Sequence, residues 1–493
     1  MNNLKVSHYF IAIYSFISLI SLQAQNKPNI IVLLADDHGY GDLSAMEIHA
    51  PDISTPNLDK LAASGTLFTH GYSSHPVCSP SRAGQMTGRY QSRWGNTWYG
   101  KADGLPLSEI TLAEALKEHG YATGYIGKIH YGKDFHNTNS PLYPMNHGFD
   151  YTYGFPAHTI HFLKHSKKEA KAMGKAAGKL GVGPMWENDK KDEPHGYATE
   201  IFGEKAREFI TKNKEKPFFL HLAFNAVHNY VGQLPDDWLK NNNMDGFEDW
   251  NPKKEEYLTW YKRVLNCASP MNNDPMMRKW YLGCLDYLDL EVGKIVNHLE
   301  KNGLRDNTII FYASDNGGSP RTAAYNGGLA GCKYTLAEGG IRIPYFISWP
   351  GKVKAGIVSN KPVITLDIFP TAMAAATGNN NASPQCDGIN LLAFLCGKDK
   401  LQERDPIGWQ AKSEYALRHR NWKLYITPRN FKVNVSQVIP QNKRLFDLEN
   451  DPRQENNLYL TMPEKALEME KLFREWKTQY LLAQPAKNRR KEK

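Results

Sequence analysis

Asn29-Ile30-Ile31-Val32-Leu33-Leu34-Ala35, stopping at Asp36-Asp37, is the stretch on which the fold turns. From Ile30 to Ala35 no polar residue interrupts the run. An apolar run without alternation is expected for a strand covered on both faces, as in a parallel sheet. The acid pair then falls just past the strand's carboxyl end. Thr55-Pro56-Asn57 opens a helix that Gly65 is expected to end, with Pro near the start and Gly beyond the finish. Thr111-Leu112-Ala113-Glu114 has the capping-box pattern, with Gly120 as its stop.

The same alternation continues along the chain. Strands are predicted over Ala122–Ile126 leading to Lys128 and His130, Phe218–Ala223 leading to His228, and Thr308–Ala313 leading to Asp315-Asn316. Leu285, Leu288, Val292, Ile295, Val296 and Leu299 recur at helical spacing before the last of these, with Gly303 as the stop. The expected fold is α/β, a large mostly parallel central sheet flanked by helices. From about residue 400, Trp422–Ile426 and Arg444–Leu448 read as short strands and Pro463–Tyr480 as an amphipathic helix, a smaller C-terminal α+β subdomain. Asn241–Asp249 reads as a surface loop. In open α/β sheets ligands gather beyond the carboxyl ends of strands. Asp36, Asp37, Lys128, His130, His228, Asp315 and Asn316 all lie there, so distant segments are expected to converge on one site.

Of the 493 residues, 41% are hydrophobic and 12% aromatic, which excludes a disordered protein and leaves room for two domains. The net charge of +9 suggests a polyanion partner until it is located. Residues 1–24 hold Lys5 and no acid, the tail Lys487–Lys493 carries +4, and the Lys-rich stretch Lys164–Lys179 carries +5, leaving the rest at −1. A generally basic protein is excluded, and nucleic-acid binding has no motif behind it. Lys5 followed by an apolar run from Tyr9 to Leu22, with Ala24 as a small residue for cleavage, has the layout of a signal peptide. No later run approaches the roughly 20 apolar residues of a spanning helix. The expectation is an exported protein, periplasmic or secreted: signal peptide 1–24, catalytic domain 25–400, C-terminal subdomain 401–486 and basic tail 487–493. Oligomeric state is not legible. Cys78, Cys267, Cys284, Cys332, Cys386 and Cys396 are too few for a disulfide framework and show no C-x-x-C metal spacing.

One of those cysteines stands in a distinctive setting, Cys78-Ser79-Pro80-Ser81-Arg82 continuing to Thr87-Gly88-Arg89. Pro80 can open a helix, which would put Cys78 at a helix N-terminus, where a thiol is expected to be acidified. C-x-P-S-R followed by T-G-R resembles the signature of formylglycine-dependent sulfatases of the alkaline-phosphatase-like superfamily. The resemblance extends through Gly127-Lys128-Ile129-His130, Ser314-Asp315-Asn316-Gly317, Lys333 and Glu338-Gly339-Gly340-Ile341-Arg342-Ile343-Pro344 to Leu445-Phe446-Asp447-Leu448-Glu449-Asn450-Asp451-Pro452. Met86 stands where Leu is usual, and Val227 precedes His228 where Pro is common. His221 and His119 are therefore kept as alternatives to His228.

That resemblance implies that Cys78 is oxidised to Cα-formylglycine by a maturation enzyme. The hydrated aldehyde carries two hydroxyls: one attacks sulfur, and the other later loses its proton to expel sulfate. It further implies that Asp36, Asp37, Asp315, Asn316 and residue 78 bind Ca²⁺, with Mg²⁺ sharing the preference for oxygen ligands. Arg82 and Lys128 would orient the nucleophile, and His130 would accept a proton or orient. Lys333 and His228 would hold sulfate and protonate the leaving oxygen.

Exported members resemble enzymes acting on glycans, so a sulfated oligo- or polysaccharide is the expected substrate. Arg93, Trp98, His158, His161 and His165 are candidate sugar contacts, since aromatics stack on sugar rings and bases pair with neighbouring sulfates. Lys164–Lys179 could attract the same polyanion or be a solvated helix face. Two rival readings are a formylglycine-dependent phosphonate or phosphodiester hydrolase and a noncatalytic glycan-binding protein.

Overall fold

The computed structural model describes residues 27–99, 104–131, 139–140, 143–155, 163–164, 185–192, 194, 196–228, 231–245, 251, 253–256, 259, 275–380, 385–401, 404, 406–428 and 443–481. A ten-stranded sheet forms the centre. Its order is Ile357–Ser359, Gly65–Phe68, Tyr345–Ser348, Thr308–Ser314, Asn29–Ala35, Phe218–Ala223, Ala122–Lys128, Tyr151–Phe155, Met185–Glu187, Lys190–Asp192. The five strands from Thr308–Ser314 to Tyr151–Phe155 run parallel, and antiparallel pairs appear toward both edges.

Both faces of the middle strand are covered, as its apolar run requires. Ile31, Leu33 and Ala35 pack into one core with Leu58, Phe202, Leu285 and Leu288. Ile30, Val32 and Leu34 pack into the other with Leu112, Leu116, Ile368 and Ala372. The helical stripe at Leu285–Leu299 belongs to one long helix, Pro275–Lys301, which presses on the first core. The capping box is formed: Glu114 N–H donates to Thr111 Oγ1 at 3.1 Å, and Thr111 N–H donates to the Glu114 carboxylate at 2.7 Å.

Gly65 stands just past the finish of its helix as expected: the helix runs Pro56–Ala63 with Ser64 as its C-cap, and Gly65 opens the next strand, where a Cβ would lie 2.0 Å from the Ile347 carbonyl oxygen. Helix Asp236–Asn241 ends where the Asn-rich loop was expected to start; residues 242–245 are turn and irregular backbone, and residues 246–249 lie outside the described residues.

The C-terminal unit is a four-stranded antiparallel sheet, Ile407–Ala411, Glu414–His419, Trp422–Ile426 and Lys443–Asp447. Helix Pro463–Leu481 packs on it, with Trp476 against Gly408. The sheet also backs the segment leading to Cys78. Trp409 donates its indole N–H to the Ser73 carbonyl at 2.8 Å, and Val77 and Cys78 share a core with Trp409, Leu417 and Leu424. Among the described residues no helix is long and apolar enough to cross a membrane.

Candidate active site

Four neighbouring parallel strands deliver polar residues to one end of the sheet. Asp36 and Asp37 follow Ala35, Asp315 and Asn316 follow Ser314, Lys128 ends its strand, and His228 lies five residues past Ala223. The strand ends are tied together by main-chain bonds: Asp36 N–H to the Ala226 carbonyl at 2.9 Å, Val227 N–H to the Asp36 carbonyl at 2.8 Å, and Asp315 N–H to the Ala35 carbonyl at 3.0 Å. The loop after Asn316 can approach the Glu338-Gly339-Gly340 turn only through glycine, because a Cβ on Gly317 would lie 2.0 Å from the Gly339 carbonyl oxygen.

Cys78 is the first residue of helix Cys78–Thr87 and is 4% exposed. The expected acid thiol is not found: burial pushes the Cys78 thiol up despite the Lys128 and Lys333 charges. Desolvation and two nearby carboxylates outweigh the helix terminus. A side chain buried so deeply is poor as a free thiolate.

Around it sit three carboxylates and three cations. Arg82, one turn into the helix, donates Nε to Asp315 at 2.8 Å, reaches Asp36 at 3.5 Å and donates Nη1 to the Lys128 carbonyl at 2.8 Å. Lys128 pairs with the same Asp36 oxygen, Oδ2, and Lys333 pairs with Asp37 at 2.6 Å. His228 Nε2 lies 3.7 Å from Asp37. Burial opposes ionisation of Asp36, but Lys128, His228, Arg82 and Lys333 hold it well below the usual carboxylate range. Burial and the Asp36 charge push Asp315 up to about 7. Burial, with Lys333 and Lys128, lowers His228 to about 4.

Two oxygens in this cluster, Asp36 Oδ1 and Asn316 Oδ1, are buried without a hydrogen-bond partner. Donor atoms of Asp36, Cys78 and Asp315 lie within 4.8 Å of one another, as do those of Asp36, Asp37 and His228. Hard oxygens aimed inward and left unpartnered among cations are the donor set of a divalent cation site.

The other expected residues separate. His130 is buried two residues beyond Lys128, in a left-handed conformation with φ of 54°. His221 stays inside its strand, 4.8 Å from the Tyr125 ring, and His119 caps a helix on the opposite end of the sheet, where its carbonyl accepts from Lys27. Of the three histidines weighed, His228 alone reaches Asp37. Arg93 is occupied elsewhere: it binds Asp387 through two hydrogen bonds of 2.7 Å and lies over the Tyr480 ring, joining the core to the C-terminal helix. Trp98 is 8% exposed and shares a core with Cys78. His158, His161, His165 and most of Lys164–Lys179 lie outside the described residues. Two neighbours without a local sequence signal are Tyr334, beside Lys333, and Lys412, on a hairpin of the C-terminal sheet.

A buried carboxylate and cation cluster at the carboxyl edge of a parallel sheet, closed by a helix bearing Cys78, is the arrangement that the resemblance to alkaline-phosphatase-like hydrolases implies. The chain belongs to the sulfatase family, whose model matches residues 28–378. A second model, described as N-sulphoglucosamine sulphohydrolase, C-terminal, matches residues 332–479. Human N-acetylgalactosamine-6-sulfatase is 33% identical over 399 residues, covering 77% of this chain and 68% of that protein. The Escherichia coli K12 sulfatase YdeN is 30% identical over 473 residues, covering 86% and 76%. Among solved structures, Ps i-CgsB superposes with a TM-score of 0.76 at 30% identity, covering 93% and 94%. A second structure of that protein, in complex with k-i-k-neocarrahexaose, matches with a TM-score of 0.76 at 31% identity and the same coverage.

Proposed function

We propose that this sulfatase removes sulfate from a sulfated carbohydrate through formylglycine at position 78 and a bound Ca²⁺. The observation that carries the reading is the convergence of Asp36, Asp37, Asp315, Arg82, Lys128 and Lys333 on Cys78, with Asp36 Oδ1 and Asn316 Oδ1 left unpartnered. The residues fit a divalent cation, which Asp36, Asp37, Asp315, Asn316 and residue 78 would hold. When bound, the cation supplies positive charge that acidifies the nucleophile and holds a sulfate oxygen. Formylglycine supplies a hydrated aldehyde with two hydroxyls on one carbon.

The chain's own residues do the rest. Ionised, Asp36, Asp37 and Asp315 balance Arg82, Lys128 and Lys333, so a divalent cation held by these carboxylates would leave the site positive toward an anionic ester. Arg82 and Lys128 fix the Asp36 carboxylate beside residue 78 and would orient the nucleophile there, and His130 adds a polar group at the same strand end. Lys333 and His228, on either side of Asp37, are placed to bind sulfate and give a proton to the leaving oxygen. A carbohydrate substrate is supported by the relatives named for N-acetylgalactosamine-6-sulfate and by the solved neighbour holding an oligosaccharide. Lys5 and the apolar run to Leu22 support export, with maturation by a formylglycine-generating enzyme.

Co-expression with such an enzyme, followed by mass analysis of the Cys78 peptide and parallel assays on 4-nitrophenyl sulfate and a phosphodiester, tests the reading. Aldehyde at position 78 and dominant sulfatase turnover are expected. An active preparation retaining only thiol, or dominant diesterase turnover, would sink it. Chelation is expected to lower sulfatase turnover by at least about 100-fold, with recovery on adding Ca²⁺. Ca²⁺ is also expected to raise Tm, since it binds the native state alone. A Tm and a turnover indifferent to chelator would remove the cation from the site.

A further inference from the structure

Tyr334, the residue after Lys333, has a backbone φ of 78°. That left-handed conformation is rare for a bulky side chain and is retained mostly where function requires it. Tyr334 is held there by its N–H, which donates to the Pro76 carbonyl at 2.9 Å. Its ring stands 5.4 Å from the Lys333 ammonium and 6.1 Å from the Trp98 ring. Trp98 in turn lies 5.6 Å from Tyr99, which is 48% exposed. Trp98 itself is a foundation, with exposed or half-buried aromatic rings on either side of it.

Onto this foundation comes a cation from the other subdomain. Lys412 occupies the two-residue turn between Ile407–Ala411 and Glu414–His419, with φ of 55°, a corner where Gly or Asn is the unstrained choice. Its N–H donates to the Thr97 carbonyl at 3.1 Å, and its ammonium sits 4.0 Å from the centre of the Trp98 ring. The side chain is exposed, and among the described residues no carboxylate pairs with that ammonium. Two strained residues from different subdomains therefore meet on one buried tryptophan, one beginning at a reacting lysine and the other ending in an unpaired positive charge.

We propose that Tyr334, Tyr99 and Lys412 form a subsite for the glycan beyond the cleaved ester, and that Lys412 reads a second anionic group on that glycan. This rests on the sulfatase reading of the site around residue 78. A sugar's apolar face lies on the tyrosine rings, which present flat apolar surface with polar edges. The cation–π contact with Trp98 orients the Lys412 ammonium without neutralising it, leaving it available to a sulfate or carboxylate on a neighbouring sugar. The substrate class is a carbohydrate carrying at least two negative charges, one cleaved and one recognised.

The test compares wild-type enzyme with Lys412→Asn, which suits the left-handed corner and so preserves the turn, and with Lys412→Arg. Sulfated tetrasaccharides from chondroitin sulfate, heparin and carrageenan, each beside its desulfated counterpart, are used as inhibitors of 4-nitrophenyl sulfate hydrolysis. Lys412→Asn is expected to raise the inhibition constant of the best sulfated tetrasaccharide about tenfold more than it raises KM for the aryl ester, and Lys412→Arg to restore it. An equal effect on both, or no preference for sulfated over desulfated tetrasaccharides, would overturn the subsite. If the matured enzyme fails to hydrolyse the aryl sulfate, the sulfatase chemistry fails separately. Calorimetric binding of the same tetrasaccharides to Cys78→Ala protein, with and without Lys412→Asn, then still decides the subsite.

Discussion

Cys78→Ala is expected to lower turnover by about 10⁴-fold or more while leaving the fold intact. Removing an enzyme's nucleophile typically leaves only the residual catalysis of binding and electrostatics. The cluster around residue 78 is held without it: Arg82 is fixed by Asp315 and the Lys128 carbonyl, and Lys333 by Asp37. Loss of one buried sulfur is a small truncation, so circular dichroism and Tm should change little. Cys78→Ser separates the formylglycine proposal from simpler chemistry. A serine carries one hydroxyl, so any sulfate ester it forms has no second hydroxyl to expel the sulfate. Intact-mass analysis is then expected to show sulfate accumulating on the variant after a single slow turnover. Steady multiple turnover by Cys78→Ser, or retained sulfatase activity in Cys78→Ala, would place the nucleophile elsewhere.

What could be read from the chain was what depends on local pattern. The strand at Asn29–Ala35 and the one at Phe218–Ala223 are continuous apolar runs that a double-faced sheet demands, and polar residues just past them had to lie at one edge. Hence Asp36, Asp37, Lys128, His130, His228, Asp315 and Asn316 could be grouped from position alone, whereas Lys333, far past the end of the strand at Ser314, was placed there only by the family resemblance. The choice of His228 over His221 also follows from position, since a residue inside a covered strand faces core. Properties set by the whole surroundings were not legible. The Cys78 thiol is raised because burial dominates a helix terminus, and burial is the sum of distant segments. Arg93 has basic character that suits an anion, yet its geometry is decided by Asp387, nearly 300 residues away. Lys412 carries no local signal at all. Its place above Trp98 comes from hairpin register and from how the C-terminal sheet docks.

The docking itself rests on Glu338, and its removal is the second large effect expected. In the sequence Glu338 looked like one more position of a glycine-rich motif near Lys333; in the fold it is a fully buried carboxylate between the subdomains. It accepts from Lys423 of the C-terminal sheet at 2.7 Å and from the Tyr72 hydroxyl at 2.7 Å, with Arg342 at 3.8 Å. Arg418 reaches the same Tyr72 hydroxyl. Burial alone would raise the Glu338 carboxyl, but Lys423, Arg342 and Arg418 hold it at about 2. Glu338→Ala would leave those cations buried without their shared counter-charge, a defect of about 3–5 kcal/mol. With an unfolding entropy near 2 cal/mol/K per residue, that corresponds to roughly 3–5 °C in Tm if the whole chain melts together, and more if the C-terminal unit melts first. The combined Glu338→Leu/Lys423→Met variant should lose less than the two single changes added, because it removes charge and partner together. The pH dependence has a defined sign. The carboxyl is lower in the folded state than its ordinary value near 4.3 when unfolded, so its contribution is complete above that value. It declines as pH falls toward about 2. The Tm difference between wild type and Glu338→Gln should therefore be constant from neutral pH down to about 5 and shrink below it. A difference that persists unchanged at pH 3, or a Glu338→Ala protein as stable as wild type, would mean that the buried cations are compensated by some other group.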